Sequence, residues 1–321
     1  MTKSIRPRLV AMGLAMLLVL VGCSSASTAG TGGSTSPGGD PDSDKLAQVL
    51  DRGILRLATD PAYPPASFAV EGAERAADTT CAPTELTAPE VDGYDVAVGE
   101  ALAADLGVEA CFVTPEWTEL IAGNWSDRWD LAFSSVGITS GRMESLYYTQ
   151  PYYATPERFY VASGSDADEL ADLDGARIGV CTGCYADLYL QHALDVPGVD
   201  VTYRVDDARI VGYESEHQGL DDVAARKLDA FLCQETAGNQ AIEEGLELRP
   251  LDPPAYSAFL GGVLDRFSGY DVAAFYDRVN QVVRALHADG TLADLSAGFF
   301  GKDYASEAAA FDLGSLEQTV T

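Results

Sequence analysis

Basic residues are scarce in this sequence. Its 321 residues include 20 Lys and Arg against 50 Asp and Glu, which gives a formal net charge of −30. Nucleic-acid binders neutralise phosphates with basic side chains, so this balance argues against a nucleic-acid partner. An anionic membrane surface would repel the folded part for the same reason. The apolar share of 47% is ordinary for a soluble protein, and the length indicates about two domains.

Histidines are also few, and the cysteines number six. His192, His217 and His287 are not spaced with the cysteines as a zinc ligand set, so we expect no metal and no cofactor. Five cysteines follow Cys23, and an exported protein would keep disulfides among them. Because five is odd, at least one should be unpaired or paired elsewhere.

The N-terminus lacks an apolar run long enough to span a bilayer. The run 9–22 has 14 residues, short of the roughly 20 that a spanning helix needs, and it follows Lys3, Arg6 and Arg8. This is the pattern of a secretory signal peptide. The run ends in Leu-Val-Gly-Cys23, which resembles the lipobox of bacterial lipoproteins and implies cleavage before Cys23 and a lipid on its thiol. The alternative is an ordinary cleaved signal with a chance cysteine.

The segment after Cys23 lacks large apolar side chains. From 24 to 44 it holds only Ser, Gly, Thr, Ala, Pro and Asp, a composition typical of a flexible tether. We therefore expect a signal peptide at 1–22 and a tether at 23–46. The folded part would lie outside the cytoplasm, held to the bacterial cell membrane through the lipid anchor only.

The rest of the chain alternates short apolar runs with helical patterns, which predicts two α/β units with parallel sheets rather than one large sheet. In the first unit we expect, among others, a helix over 117–125. In the second we expect strands over 177–181, 199–203 and 230–233, helices over 185–194 and 220–227, and then a strand over 258–264. Polar residues gather after several strands, at 60–68, 134–142, 181–185 and 234–239, where ligands of such sheets bind.

The motifs at those places resemble the family 3 solute-binding proteins, the amino-acid receptors of ABC importers. The resemblance begins with Ala58-Thr-Asp-Pro-Ala-Tyr-Pro-Pro65 and runs through Gly93-Tyr-Asp-Val96 and Trp117-Thr-Glu-Leu-Ile121. It continues with Ser134-Ser-Val-Gly-Ile-Thr139, Arg142 and Gln150-Pro-Tyr-Tyr153. In the second unit Gly183 and Leu228-Asp-Ala230 fit, and Phe299-Phe-Gly301 fits the C-terminal signature.

The resemblance implies a type II periplasmic-binding-protein-like fold, with two α/β lobes, a ligand cleft and two crossing hinge strands. Lobe 1 would comprise 47–156 plus 257–321, and lobe 2 would comprise 157–256. Such proteins close around a ligand by hinge motion. The expected function is capture of an amino acid or related small carboxylate-bearing solute and its transfer to an ABC transporter permease, and the expected state is a monomer.

The resemblance also implies where the ligand binds. Arg142 matches the family's carboxylate-binding arginine, whose planar fork suits that anion, and the main chain near Gly137 and Thr139 would add donors. Tyr63 and Trp117 match two aromatics that sandwich the ligand, while Phe68 and Asp60 are weaker candidates. Ordinary core packing or turn capping is the alternative for these four. The complete set of candidate ligand-binding residues is Asp60, Tyr63, Phe68, Trp117, Ser134, Ser135, Gly137, Thr139, Arg142, Cys184, Tyr185 and Gln234.

Three of these positions depart from the family pattern. Gly137 replaces the usual hydroxyl residue, and Cys184 opens a lobe 2 helix where a threonine hydroxyl reaches the carboxylate, so the helix N-terminus itself would make that contact. Gln234 replaces an aspartate that pairs with the α-ammonium. We therefore expect a solute that keeps a carboxylate but has no ordinary α-amine, or a modified amino acid, with Glu235 as a possible substitute for the lost charge.

The Cys181-Thr-Gly-Cys184 motif has the spacing of an oxidoreductase site, but it lies within the binding-protein resemblance. We favour a structural Cys181–Cys184 disulfide over a link from either to Cys233, and a second bridge between Cys81 and Cys111. Two other functions stay open: a ligand-sensing receptor domain, and an enzyme like the cyclohexadienyl dehydratases, with Asp60 or Glu235 as general acid. We expect the protein not to be an enzyme.

Overall fold

The computed structural model describes residues 43–321, so the predictions on the signal peptide, Cys23 and most of the tether lie outside the described residues. Within 43–321 there are thirteen strands. They are β1 Ile54–Ala58, β2 Ala62–Tyr63, β3 Ser67–Ala69, β4 Leu86–Thr87, β5 Val91–Asp92, β6 Glu109–Val113, β7 Leu131–Gly137, β8 Leu146–Ala162, β9 Arg177–Cys181, β10 Arg209–Tyr213, β11 Ala230–Gln234, β12 Leu248–Pro250 and β13 Tyr256–Asp265.

The same range holds nine α-helices and four short 3₁₀ helices. The α-helices are α1 Lys45–Arg52, α2 Tyr94–Leu106, α3 Trp117–Ala122, α4 Tyr185–Leu190, α5 Glu216–Ala224, α6 Glu235–Glu243, α7 Ala273–Ala288, α8 Thr291–Phe300 and α9 Ala305–Ala309. The 3₁₀ helices are Ala88–Glu90, Arg142–Glu144, Leu170–Leu173 and Leu313–Leu316. None of the helices described is long and apolar enough to cross a membrane.

Ten strands form one hydrogen-bonded sheet rather than the two separate sheets expected. The order is β10-β9-β11-β8-β13-β7-β1-β6-β4, with β12 also paired to β8, and β2, β3 and β5 form a small second sheet. The pairs β1–β6, β1–β7, β9–β10 and β9–β11 are parallel, as predicted. The two halves join because β8 and β13 are long antiparallel partners that run through both.

Strand β8 is far longer than the sequence pattern indicated, with 17 residues instead of the apolar run 159–162. Pro151 and Pro156 lack the N–H that a central strand needs, and prolines normally mark edges or bulges. Here Pro151 lies opposite Gly261, where the β8–β13 register shifts. The bulge lets the strand continue through the proline.

Several other boundaries differ from those predicted. The α3 helix ends at Ala122 rather than 125 because Gly123 turns the chain with φ 68°. The strand predicted over 199–203 is absent: Val199 forms only an isolated bridge with Val196, residues 200–206 have no regular secondary structure, and the next strand is β10. The α5 helix begins at Glu216, four residues before the predicted start. The last two residues of the predicted tether, 45 and 46, belong to α1.

Buried aromatic residues make up much of the core between the sheet and the helices. Tyr94, Tyr152 and Tyr153 are fully buried and contact one another at ring-centre distances of 5.2–5.7 Å. The Tyr94 hydroxyl donates to the Tyr152 carbonyl at 2.8 Å, so this polar group is satisfied. The three rings pack β8 against α2, close to the ends of β7 and β11.

Candidate functional site

One cavity lies where β1, β7, β9 and β11 end around the paired strands β8 and β13. Its volume is about 70 Å³, and because one water needs roughly 10–15 Å³ by this measure, it has space for about five to seven waters. It is lined by Asp60, Ala62, Tyr63, Trp117, Ser134, Ser135, Gly137, Arg142, Glu157, Cys181, Cys184, Tyr185, Ala186, Glu214, Ser215, Glu216, Gln234 and Leu260.

Ten of the twelve predicted site residues line this cavity, and two do not. Phe68 is half-buried in β3, where it pairs with Ala62 and Asp92. Thr139 is buried, and its hydroxyl oxygen accepts the main-chain N–H of Arg142 at 3.1 Å. Thr139 therefore holds the start of the 3₁₀ turn that carries Arg142 instead of facing the cavity.

The guanidinium of Arg142 is buried at the cavity wall, with the residue 7% exposed. It donates to the carbonyl of Gly137 and to that of Gly183, both at 2.9 Å. Its carbon lies 5.2 Å from the ring centre of Trp117 and 5.7 Å from that of Tyr185, so both rings can stabilise the charge. Arginine has five N–H donors, and these two hydrogen bonds leave three for other acceptors.

Tyr185 fills the space that Gly137 leaves. A Cβ at position 137 would lie 2.2 and 2.4 Å from two carbons of the Tyr185 ring, closer than real Cβ contacts come. The Tyr185 hydroxyl donates to the carbonyl of Ile138. The missing side chain at 137 therefore has a direct structural consequence, since it admits a buried tyrosine from the other half of the sheet.

A chain of hydrogen-bonding groups forms the cavity floor. The Tyr153 hydroxyl lies 3.0 Å from Gln234 Oε1 and 2.7 Å from Ser135 Oγ, and the Ser135 hydroxyl donates to Asp95 at 2.8 Å. Tyr152 donates its hydroxyl hydrogen to Asp95 at 2.7 Å and accepts the Ser135 N–H at 2.9 Å. These contacts hold Ser135 at φ 51°, a left-handed conformation that is unusual for serine and places it at the site.

Asp95 is the buried acid at the end of this chain, 1% exposed. Burial raises its pKa to about 7, and the hydrogen bonds from Tyr152 and Ser135 oppose that rise. Asp95 does not line the cavity. It acts on the site through Ser135, whose hydroxyl donates to Asp95 and contacts the Tyr153 hydroxyl.

Glu157 is a site residue that the sequence analysis missed. It lies on β8, is 2% exposed and lines the cavity. Burial raises its pKa well above the usual value, Glu216 raises it further, and Arg142 lowers it. The signal in the sequence was an acid beside Pro156 in a strand whose other charged residue is Arg158, and the register of β8 was needed to interpret it.

Glu216 is a second missed acid, at the first position of α5. Its Oε2 is buried without a hydrogen-bond partner among residues 43–321. Burial raises the pKa of Glu216 to about 8, while its contact with the Tyr63 side chain opposes the rise. Because Tyr63 comes from β2 and Glu216 from α5, this contact also joins the two halves of the sheet across the cavity.

Glu235 does not stand in for a carboxylate at 234, contrary to the alternative considered above. Its carboxylate accepts from Lys302 at 2.9 Å, from Tyr304 at 2.6 Å and from Arg158. These donors lower its pKa although burial opposes them. Neighbouring residues of a strand end point to opposite faces, so Glu235 lies outside the cavity while Gln234 lines it.

The start of α4 offers fewer free donors than predicted. The Gly183 N–H donates to the side chain of Asp187 at 2.9 Å, and the Cys184 N–H donates to the Cys181 carbonyl at 3.2 Å. Both groups are satisfied within the turn, so they do not form the expected anion-binding end.

The cysteines pair as favoured. Cys81 is bonded to Cys111 and Cys181 to Cys184, with Cα–Cα distances of 5.4 Å in both, while Cys233 is a buried free thiol. The alternative, a disulfide from Cys181 or Cys184 to Cys233, is therefore wrong. The Cys81–Cys111 bridge ties the loop before β4 to β6.

Comparison with known proteins identifies the family. A sequence model of the bacterial extracellular solute-binding proteins, family 3, matches residues 55–302. The chain belongs to this family. The chain is 29% identical to an L-arginine-binding protein of Pseudomonas aeruginosa over 271 residues, which cover 80% of this chain and 96% of that protein. With the L-cystine-binding protein TcyJ of Escherichia coli K12 it shares 25% over 260 residues, 80% of this chain and 86% of that protein.

Solved structures of this family show the same fold. The ancestral amino acid-binding protein AncCDT-1, a precursor of cyclohexadienyl dehydratase, matches with a TM-score of 0.65 at 21% identity, over 80% of this chain and all of that one. A mutant of ArgBP from T. maritima also reaches 0.65, at 18% identity and the same coverage. The expected type II periplasmic-binding fold is confirmed.

Proposed function

We propose that this family 3 protein captures an amino acid or a related small solute in the cavity described above. Lobe 1, 47–156 plus 257–321, and lobe 2, 157–256, close on the solute by bending at β8 and β13. The closed complex is then presented to the permease of an ABC importer. The supporting observation is that one cavity is lined by a buried guanidinium, that of Arg142, and a buried carboxyl group, that of Glu157.

Contacts across the cavity support closure. Arg142 of lobe 1 donates to Gly183 of lobe 2. The Ser140 N–H donates to the Asp195 carbonyl at 3.0 Å. These contacts form only when the lobes meet, so a solute that touches both lobes would shift the population toward the closed form.

The charges favour a zwitterionic solute. A free amino acid carries a carboxylate, which suits the N–H groups of Arg142 that are not already engaged, and an ammonium, which suits a carboxylate. The relatives named for L-arginine and L-cystine binding support this class.

A thermal-shift screen of the purified protein tests the function. We expect at least one of the twenty amino acids to raise the melting temperature, since a ligand that binds only the folded state stabilises it. Isothermal titration should then give one site per chain. An Arg142→Met variant should lose that binding, and no response to any amino acid or related carboxylate would contradict the proposal.

We also propose that the protein binds its solute without converting it. Of the two general-acid candidates, Glu235 is held outside the cavity by Lys302 and Tyr304. Asp60 accepts the Ala62 N–H at 2.9 Å in a turn. Incubation with prephenate should give no phenylpyruvate, and turnover would support the dehydratase alternative instead.

Anchoring through Cys23 belongs to the same proposal. Its support is the lipobox resemblance of residues 20–23. We expect the protein to partition into the detergent phase of a membrane extract and a Cys23→Ser variant to move to the aqueous phase. Equal partitioning of the two would rule out the lipid.

A further inference from the structure

Glu157 occupies a special place relative to Gln234. The two residues are directly paired across the antiparallel strands β8 and β11. Side chains of such a pair lie on the same face of the sheet, with Cβ atoms about 4.5–5.5 Å apart. Both line the cavity. A carboxylate therefore stands beside the position where the resemblance leads us to expect one.

The bonding of the two side chains differs. Gln234 lies 3.0 Å from the Tyr153 hydroxyl and thus belongs to the hydrogen-bonded floor. The Glu157 carboxyl group, by contrast, lies at the cavity wall in a residue that is only 2% exposed, and the one cation within residues 43–321 that acts on it is Arg142. Leaving a buried carboxyl unpaired is costly, and a cation in the cavity would remove that cost.

We propose that Glu157 binds the ammonium of the solute, taking over the negative charge that Gln234 lacks. This rests on the proposed function, since it assigns a residue to one end of the captured amino acid. Arg142 and Glu157 both line the cavity, and Arg142 acts on Glu157 electrostatically. The ammonium and the carboxylate of an α-amino acid are both attached to the α-carbon, so one solute molecule can present both charges to these two residues. The solute is then an α-amino acid rather than a deaminated acid.

Proton release should accompany binding. The titratable and charged groups that face Glu157 are Arg142, Glu216, Cys233, Tyr63, Tyr153, Tyr185 and Tyr256. Of these, only Arg142 favours the ionised form of Glu157, while burial and Glu216 favour the protonated form. An arriving ammonium favours the carboxylate, so the proton leaves Glu157 for the buffer as the ion pair forms.

Calorimetry with matched ligands tests the assignment. The probes are L-arginine against 5-guanidinopentanoate, and L-glutamine against 4-carbamoylbutanoate, in which only the α-amine is absent. We expect the wild type to prefer the amino acid of at least one pair by tenfold or more. In Glu157→Gln the preference should shrink to about twofold or less, and titrations in buffers of different ionisation enthalpy should show that proton release is lost.

Two further variants make the result specific. Glu243→Gln makes the same chemical change at an exposed residue of α6 and should keep the wild-type preference. The swap Glu157→Gln with Gln234→Glu returns the charge across the strand pair and should recover most of the preference. It also serves as the test variant if Glu157→Gln alone does not fold.

The outcomes separate the two proposals. If neither an amino acid nor a related carboxylate binds the wild type, the proposed function fails before any variant is measured. If only carboxylates without an α-amine bind, the proposed function stands and the assignment of Glu157 is overturned. If an amino acid binds and Glu157→Gln keeps its preference for the α-amine, only the assignment of Glu157 is overturned. A swap that folds but shows no preference, or an equal loss in Glu243→Gln, would overturn it as well.

Discussion

Replacing Gly137 by Ala tests the fit of Tyr185 into the opposite half of the sheet. The new Cβ would lie 2.2, 2.4 and 3.0 Å from three ring carbons of Tyr185. Ordinary carbon contacts are at 3.4–4 Å, so the ring would have to retreat by about 1 Å. Tyr185 is buried, 5.7 Å from the Arg142 carbon and 5.6 Å from the Tyr256 ring centre, so it has little room to move.

The expected cost follows from overpacking, which typically amounts to about 1–3 kcal/mol. Opening of the cleft would also relieve the clash, so the free energy of unfolding should fall by no more than this range. In a Tyr185→Ala background the ring is absent, and Gly137→Ala should change stability by less than about 0.5 kcal/mol. The difference between the two backgrounds is the coupling free energy of the pair.

Urea unfolding of the four proteins of this double-mutant cycle gives that coupling free energy. Gly141→Ala is the matched control, because a Cβ there meets no atom within 4 Å and its φ is −63°. Equal destabilisation by Gly137→Ala with and without the Tyr185 ring would refute the steric reasoning. A large effect of Gly141→Ala would show that the backbone, and not the ring, is responsible.

Three other measurements address the rest of the molecule. Replacing Cys81 and Cys111 by Ala removes a bridge of sequence separation 30 and should lower the free energy of unfolding by about 3–4 kcal/mol. Replacing Cys181 and Cys184, at separation 3, should lower it by about 2 kcal/mol. Equal losses in urea unfolding would contradict the loop-length argument. The pKa of Asp95 is raised from 3.8 to about 7, so between these pH values the folded state holds a proton that the unfolded state releases. The stabilisation from this proton is complete below pH 4 and is lost as the pH rises to about 7, which lowers the free energy of unfolding by up to about 4 kcal/mol. Asp95→Asn should flatten that part of the stability profile, and an unchanged profile would exclude Asp95 as its source. Arg142→Lys keeps the charge but loses the planar fork, so calorimetry should show amino-acid binding weakened by about tenfold or more, and unchanged affinity would argue that Arg142 acts only as a point charge.

Most of the fold and most of the residues that line the cavity could be predicted from the sequence, because both depend on local patterns. Apolar periodicity placed β9 and β11, and the predicted helix starts at 117 and 185 coincide with those of α3 and α4. The motifs after those strands supplied the cavity residues because parallel strands bring their ends together. Most of strand β8, apart from the apolar run 159–162, escaped detection because Pro151 is tolerated only at the bulge against β13.

The missed acids depend on information that one strand or helix cannot hold. Glu157 faces the cavity because β8 pairs with β11 in a register that matches it with Gln234. Glu216 reaches Tyr63 because α5 begins four residues earlier than its apolar pattern predicted, so its first side chain lies at the cleft. Both facts arise from long-range pairing, which no local pattern encodes.

When the family's carboxylate is missing from its usual sequence position, the residues paired with that position on the neighbouring strand are the next candidates for the charge. At position 234 the amide is compatible with its place in the Tyr153–Ser135–Asp95 chain, where another carboxylate would face the already buried Asp95. Like charges that share a buried site oppose each other's ionisation. Moving the acid to Glu157 keeps a negative group on the cavity wall beside Arg142 and outside that chain of hydrogen bonds. The same reasoning accounts for the neutral residue at 234 without requiring a solute that lacks an amine.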